Sequence, residues 1–228
     1  MRAAALYDVH GNVPALDAVL AELEAEQPDL IVVGGDVAGG AAPAEALERL
    51  RGLGDRARWI RGNSERWLVE PVEEGRPGPP PEELERMRSS LTPEQTRFLY
   101  GLPPMLELDV DGLGRVLFCH AVPANDLDIV TPLTPRERLE RIVAGAQADV
   151  IVAGHTHIQD DRRAGRVRWV NAGSVGMPYE DEPGAYWAAL GPDVVLRRTE
   201  YDPGTLGDYD YPRASRREAA EFFESVVG

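Results

Sequence analysis

Short apolar runs, each closing on an acid, a histidine or an asparagine, alternate along this chain with segments of helical period, and that alternation limits the fold more than any other feature. Residues 1–7 form an apolar run ending at Asp8 in DVH, and VPALDAVLAELEAE, from Val13 to Glu26, then repeats apolar residues at three- and four-residue intervals. The first reads as a strand and the second as an amphipathic helix. Leu30 to Val33 is a second buried strand, Ala44 to Leu53 a second helix, and Arg58 to Ile60 a third, short strand running into RGNSE. Strands alternating with helices imply an α/β fold with a parallel sheet, whose ligands gather at the carboxyl ends of the strands. Asp8, Asp36 in VVGGD and Asn63 in RGNSE all stand at such ends.

Residues 70–104 break the alternation. They are rich in Pro, Glu and Arg, with one helical stretch around Glu82 to Met87 and another after Thr92, and they read as an insertion, a helical cap or lid. Beyond it, Met105 to Val110 and Arg115 to Cys119 flank DGLG as a hairpin, Pro135 to Ala144 is helical, and the strand Val150 to Ala153 runs directly into GHTH. Strands Val167 to Asn171, Ala185 to Leu190 and Val194 to Thr199 are expected to complete a second sheet, before a terminal amphipathic helix from Arg213 to Val227.

No Ser/Gly-rich linker divides the 228 residues, so one domain over 1–228 is expected. A chain of this length buries about 70% of its unfolded surface and needs neither disulfide nor structural metal to hold a core. Its one cysteine, Cys119, lies inside the apolar run RVLFCH and reads as core packing in a reducing compartment. The apolar run before Asp8 is too short for a secretory signal, and no segment approaches ~18 uninterrupted apolar residues, so a soluble, cytoplasmic protein without membrane association is expected. A formal charge of −15 argues against binding nucleic acid duplexes, which need basic surface to displace counterions. The sequence leaves homo-oligomerisation open.

All four histidines, His10, His120, His155 and His157, fall in short motifs at or just after the end of an apolar run. In an extended segment residues i and i+2 point to the same side, so Asp8 with His10, and His155 with His157, can each face one ion. Asp36 follows two glycines and Asn63 follows Gly62, where the backbone can turn sharply. A lone DxH or GD is ordinarily a cap or a turn. Five such motifs, each closing a strand, are not explained that way. Seven side chains of imidazole, carboxylate and amide are too many for one tetrahedral ion and suit two divalent ions sharing a carboxylate.

The ordered set DVHGN, GGD, RGNSE, CH, GHTH and NAGSVGMP resembles the calcineurin-like metallophosphoesterase superfamily, and within it the bacterial branch of YfcE-type phosphodiesterases and diadenosine-tetraphosphate-hydrolysing relatives. The resemblance covers most of the chain. It implies a four-layer αββα sandwich, two mixed sheets flanked by helices, with a dinuclear site on top. It implies that Asp8, His10 and His157 hold one metal, that Asn63, His120 and His155 hold the other, and that Asp36 bridges them. It also implies a phosphoesterase in which a metal-bridging hydroxide attacks phosphorus in line, with Asp8, His10, Asp36, Asn63 and His120 as the catalytic set. The donor set accepts Mn first, with Fe, Zn, Ni or Co as alternatives.

One departure bears on substrate. Many members carry a histidine after the Asn, which protonates the leaving group or orients the phosphate, whereas this chain has Ser64 and then Glu65. The expected substrates are therefore small aryl or nucleotide-like phosphodiesters or phosphomonoesters, whose leaving groups depart with little protonation. Arg61, Ser64 and Arg66 flank the Asn63 loop and are candidate substrate contacts. Trp67, Phe98 and Tyr100 are candidate stacking platforms, or helix packing. Two rival readings remain at this stage: a non-catalytic interaction scaffold on the same fold, as in the retromer subunit that resembles these phosphodiesterases, and a hydrolase of non-phosphate esters.

Overall fold

Alternation along the strands sets the layering. In the computed structural model, which describes residues 1–74, 78–203, 211 and 214–227, strand β1 (Ala3–Leu6) sends Ala4 and Leu6 to one face and Ala3 and Ala5 to the other. Strand β2 (Leu30–Val33) does the same with Ile31 and Val33 against Val32. In β5 (Gly114–Cys119), Val116 and Phe118 face inward while Leu117 and Cys119 face outward, and β6 (Val150–Ala153) repeats this with Val150 and Val152 against Ile151 and Ala153. Each of these strands is therefore apolar on both faces, as a sheet covered on both sides requires.

The inner faces of the two sheets meet in one apolar cluster containing Ala5, Tyr7, Val32, Phe118, Val152 and Val170. On the outer face of the first sheet lie α1 (Val13–Glu26) and α2 (Pro43–Arg51), which contribute Leu16, Val19, Leu47 and Leu50. Each such fully buried leucine contributes about 1.5–3 kcal/mol. On the outer face of the second, α6 (Arg136–Val143) covers Cys119, Ile151 and Trp169 with Leu139 and Val143. The outcome is helix, sheet, sheet, helix.

With β3 (Ala57–Trp59), β4 (Met105–Val110), β7 (Asp160–Ala164), β8 (Val167–Asn171), β9 (Ala185–Leu190) and β10 (Val194–Thr199), the two sheets have five strands each, in the orders β10-β9-β1-β2-β3 and β4-β5-β6-β8-β7. The triplets β1, β2, β3 and β5, β6, β8 are parallel, and antiparallel strands flank them on every side except the β3 edge of the first sheet. Two expectations are corrected here. Strands β9 and β10 join the first sheet, with Ala3 opposite Leu190, and do not complete the second. The second sheet instead takes β7, the charged segment DDRRA, as an edge strand. Charge is what a solvent-facing edge strand carries to prevent further pairing, and it also hides the strand from an apolar pattern.

Residues 78–104 carry α4 (Pro81–Ser89) and α5 (Pro93–Tyr100). Met87, Leu91 and Leu99 enter the same cluster as α1 and α2, and Phe98 stands edge-on to Trp59 at 5.4 Å, so this pair of helices extends the outer layer beside α2. Among the described residues, no helix is long and apolar enough to cross a membrane.

Candidate metal centre

Parallel strands of both sheets end on the same side, and their exits converge. Asp8 and His10 follow β1, Asp36 follows β2, Asn63 opens the short helix α3 (Asn63–Trp67) after β3, His120 follows β5 directly, and His155 and His157 follow β6. Backbone hydrogen bonds knit these exits together: Asp8 N–H to Gly35 O at 3.1 Å, His10 N–H to Asp36 O at 2.9 Å and Gly154 N–H to His120 O at 2.9 Å. Glycines allow the approach. A Cβ on Gly62 would lie 2.2 Å from Asp36 Oδ1, and one on Gly154 would lie 2.4 Å from Asp8 Oδ2.

The backbone here is not extended. Asp8 and His10 have φ of 53° and 42°, Asp36 of 53°, and His155 and His157 of 68° and 58°, so the members of each D-x-H or H-x-H pair face the same way through left-handed turns, not through strand pleating. Among the described residues, only one other non-glycine, Gln27, has a positive φ, and it caps α1. Left-handed backbone costs on the order of 1–3 kcal/mol per non-glycine residue and collects where function demands it.

Each imidazole gives one N–H to a backbone carbonyl: His10 Nδ1 to Ala38 O (3.1 Å), His120 Nδ1 to Gly34 O (3.0 Å), His157 Nδ1 to Met177 O (2.7 Å) and His155 Nε2 to Leu127 O (3.2 Å). A carbonyl only accepts, so the second nitrogen of each neutral ring presents a lone pair. Those lone pairs point at one another and at oxygens. His157 Nε2 lies 3.3 Å from His10 Nε2 and 3.3 Å from Asp8 Oδ1. His120 Nε2 lies 2.9 Å from Asn63 Oδ1 and 3.5 Å from Asp36 Oδ1, and the same end of the Asn63 amide is 2.9 Å from His155 Nδ1. Hydrogen bonding alone would place the amide nitrogen there, whereas a cation favours the oxygen. Asp8 Oδ1 is buried without a hydrogen-bond partner, although Asp8 Oδ2 accepts from His155 N–H at 2.9 Å.

Facing acceptors and an orphaned carboxylate oxygen are what a bound cation explains. Donors at 2.0–2.2 Å from one ion, at right angles, stand about 3 Å apart, close to these separations. Asp8, His10 and His157 form one such group and Asp8, Asp36 and His120 a second, with Asn63 and His155 beside it. Asp36 turns Oδ2 to His10 (3.7 Å) and Oδ1 to His120 (3.5 Å). The donor set thus fits divalent metal ions.

The electrostatics agree. Burial opposes a charge on His120, yet Asp36 and then Asp8 push its imidazole up to about 10. Burial also opposes ionisation of Asp36, but His120 and His10 hold that carboxyl well below its ordinary range. Burial, followed by the neighbouring His120, lowers His155 to about 4. Two buried carboxylates demand positive charge, and a divalent cation meets that demand.

Support comes from residues that the sequence motifs do not single out as ligands. Glu65, fully buried, accepts from the backbone N–H groups of Asp36, Val37, Ala38 and Gly62 at 2.7–2.9 Å, binding the GGD loop to the GNSE loop. Its spacing, Glu three residues after the N-cap Gly62, is a capping signal legible in the sequence. Ser174 donates to Asp8 O and accepts from Met177 N–H, both at 2.7 Å, so the NAGSVG turn braces the DVH loop.

The three candidate substrate contacts separate. Ser64 is buried at the centre, its N–H donating to Asp36 Oδ1 at 2.8 Å. Arg66 is paired with Asp126 at 2.8 and 2.9 Å and with Glu73 at 2.5 Å, so carboxylates already occupy its guanidinium. Arg61 lies over the Tyr100 ring and donates to Tyr100 O at 2.9 Å. Trp67 is core and Phe98 packs on Trp59, so both serve packing.

The calcineurin-like phosphoesterase superfamily domain matches residues 1–190. No curated relative matches the chain. Among solved structures, a hypothetical protein from Pyrococcus horikoshii is similar at 22% identity and a TM-score of 0.76, over 99% of this chain and 96% of that one. A metallophosphoesterase from Sphaerobacter thermophilus is similar at 23% identity and a TM-score of 0.73, over 100% and 97%. Yfce, a phosphoesterase from E. coli, is similar at 22% identity and a TM-score of 0.56, over 92% and 96%. The chain belongs to the calcineurin-like phosphoesterase superfamily. It is a phosphoesterase of the metal-dependent kind.

Proposed function

We propose that the protein hydrolyses small aryl or nucleotide-like phosphodiesters or phosphomonoesters at a pair of divalent ions, manganese first among them. One observation carries this reading: four imidazoles, each anchored by one N–H to a backbone carbonyl, turn their other nitrogens towards two buried carboxylates and an amide. Asp8, His10 and His157 would hold one ion and Asn63, His120 and His155 the other, with Asp36 reaching both. When bound, the ions would supply a nucleophile from water at neutral pH and neutralise charge developing on the phosphoryl oxygens.

The chain's own residues favour leaving groups that depart with little protonation. All four histidines are committed to the centre, and Ser64 occupies the position after Asn63, so no imidazole remains to protonate a departing alkoxide. Aryl and nucleotide leaving groups need little such help. The reading treats 1–228 as one domain whose α4 caps one wall: a Cβ on Gly39 would lie 3.3 Å from His10 Nδ1 and 3.9 Å from Met87 Sδ. Cytoplasmic residence belongs to the same proposal, supported by the lone buried cysteine, Cys119, whose thiol burial pushes up.

The test is hydrolysis of aryl phosphate mono- and diesters with added Mn²⁺, and again after chelation. Turnover that chelation abolishes and Mn²⁺ restores is expected, with a bis-aryl diester cleaved faster than an alkyl monoester. Undiminished turnover after chelation overturns the metal-dependent reading. Metal binding without hydrolysis of any phosphate ester favours an interaction scaffold, and hydrolysis of carboxylic esters alone favours the third class.

A further inference from the structure

We infer that α7 (Arg216–Ser225), which lies beyond the stretch matched by the family, is a positioning element of the metal centre, with Phe223 holding His157 through Tyr179. The inference rests on the reading of the site given above. The His157 ring is restrained twice. Its Nδ1–H donates to Met177 O at 2.7 Å, and its face lies on Tyr179, with ring centroids 5.4 Å apart and planes only 14° from parallel. Tyr179 is held by its own N–H to His157 O at 3.0 Å and by the edge of Phe223, whose ring centroid is 5.8 Å away.

The first turn of α7 staples together the two segments that carry this stack. Arg216 pairs with Glu180 at 2.9 Å and donates to Gln159 O at 2.5 Å, while Glu180 accepts from Gln159 N–H at 2.7 Å. Ile158, next to His157, is fully buried against Ala219 and Ala220. The last turn holds a different loop: Glu224 accepts from the hydroxyls of Thr131 and Thr134 and pairs with Arg138 at 3.0 Å. In that loop Leu127 O anchors His155, and Val130 O accepts from the Thr156 hydroxyl at 3.0 Å. One helix therefore bridges both supports of the GHTH histidines. Groups that orient a ligand change metal affinity without touching the ion.

The test is calorimetric titration of Mn²⁺ into metal-stripped, full-length protein, with bound metal counted and folding checked by circular dichroism. Phe223→Ala and Tyr179→Leu are expected to weaken one of the two ions about tenfold, whereas Tyr179→Phe, which keeps the stack, restores wild-type affinity. Arg217→Ala, whose exposed side chain pairs with Glu221 on the same helix, is the control and leaves affinity unchanged. Wild-type affinity in both Phe223→Ala and Tyr179→Leu overturns the inference while the phosphoesterase reading stands. Should Phe223→Ala fail to fold, the Tyr179 pair decides. A wild-type protein that binds no Mn²⁺ overturns both.

Discussion

At the scale of single residues, the centre is built from lone pairs held apart by backbone carbonyls, and removing one donor should therefore affect metal and turnover before it affects the fold. Asp8→Asn keeps an acceptor for His155 N–H but halves the charge facing the first ion group, and His120→Ala removes the imidazole that faces both Asn63 and Asp36. Each should lower kcat/KM by at least about a hundredfold, with unchanged far-ultraviolet circular dichroism; wild-type turnover in either would refute the assignment. The raised imidazole of His120 gives a pH test. Pushed up to about 10, it carries a second proton at pH 7 that a cation must displace, whereas His155, lowered to about 4, carries only the one it gives to Leu127 O. Protons compete with metal, so apparent affinity should rise with pH towards 10, and Mn²⁺ binding at pH 7 should release about one proton from His120. Calorimetry in buffers of different ionisation enthalpy reads that number directly, and zero release would contradict it.

At the scale of elements, loops are held by groups whose chemistry is invisible in any single motif. Glu65 joins the exits of β2 and β3 through four N–H donors. In Glu65→Gln the amide nitrogen would face donors, leaving part of this set unsatisfied at a cost of about 1–3 kcal/mol. The melting temperature should fall by roughly 2–4 °C for each kcal/mol lost, which differential scanning calorimetry measures. The same scale shows where sequence reading succeeds. Helix α1 and strands β2, β4, β6, β8, β9 and β10 stand where their periodicity puts them, because each is a local pattern long enough to carry its own burial signal. Strand β7 escapes because its five residues include four charges, and its pairing with β8, not apolar alternation, makes it a strand.

At the scale of the whole molecule, charge and topology dominate. A formal charge of −15 repels an anionic substrate, so attraction must come from the centre itself. Raising ionic strength from about 0.01 to 0.15 M shortens the Debye length from ~30 to ~8 Å; kcat/KM on anionic diesters should therefore rise, and a fall with salt would show that local cations, not net charge, govern encounter. The sheet to which β9 and β10 belong is also decided here. Their periodicity makes them strands, but only their long-range pairing with β1 places them in the first sheet.

What this chain's sequence determined by itself is whatever depends on neighbours along the chain: the α/β alternation, both apolar faces of the central strands, and seven donors at strand ends. What only the tertiary structure decided is whatever depends on distance in space. That includes the left-handed turns that aim each histidine, the carbonyls that choose its tautomer, Glu65 between two loops, Arg66 already held by Asp126, and α7 braced behind His157. The physical reason is that burial periodicity is a local property, whereas the direction of a lone pair is set by groups 20 to 86 residues away, as Met177 O sets His157, Leu127 O sets His155 and Gly34 O sets His120.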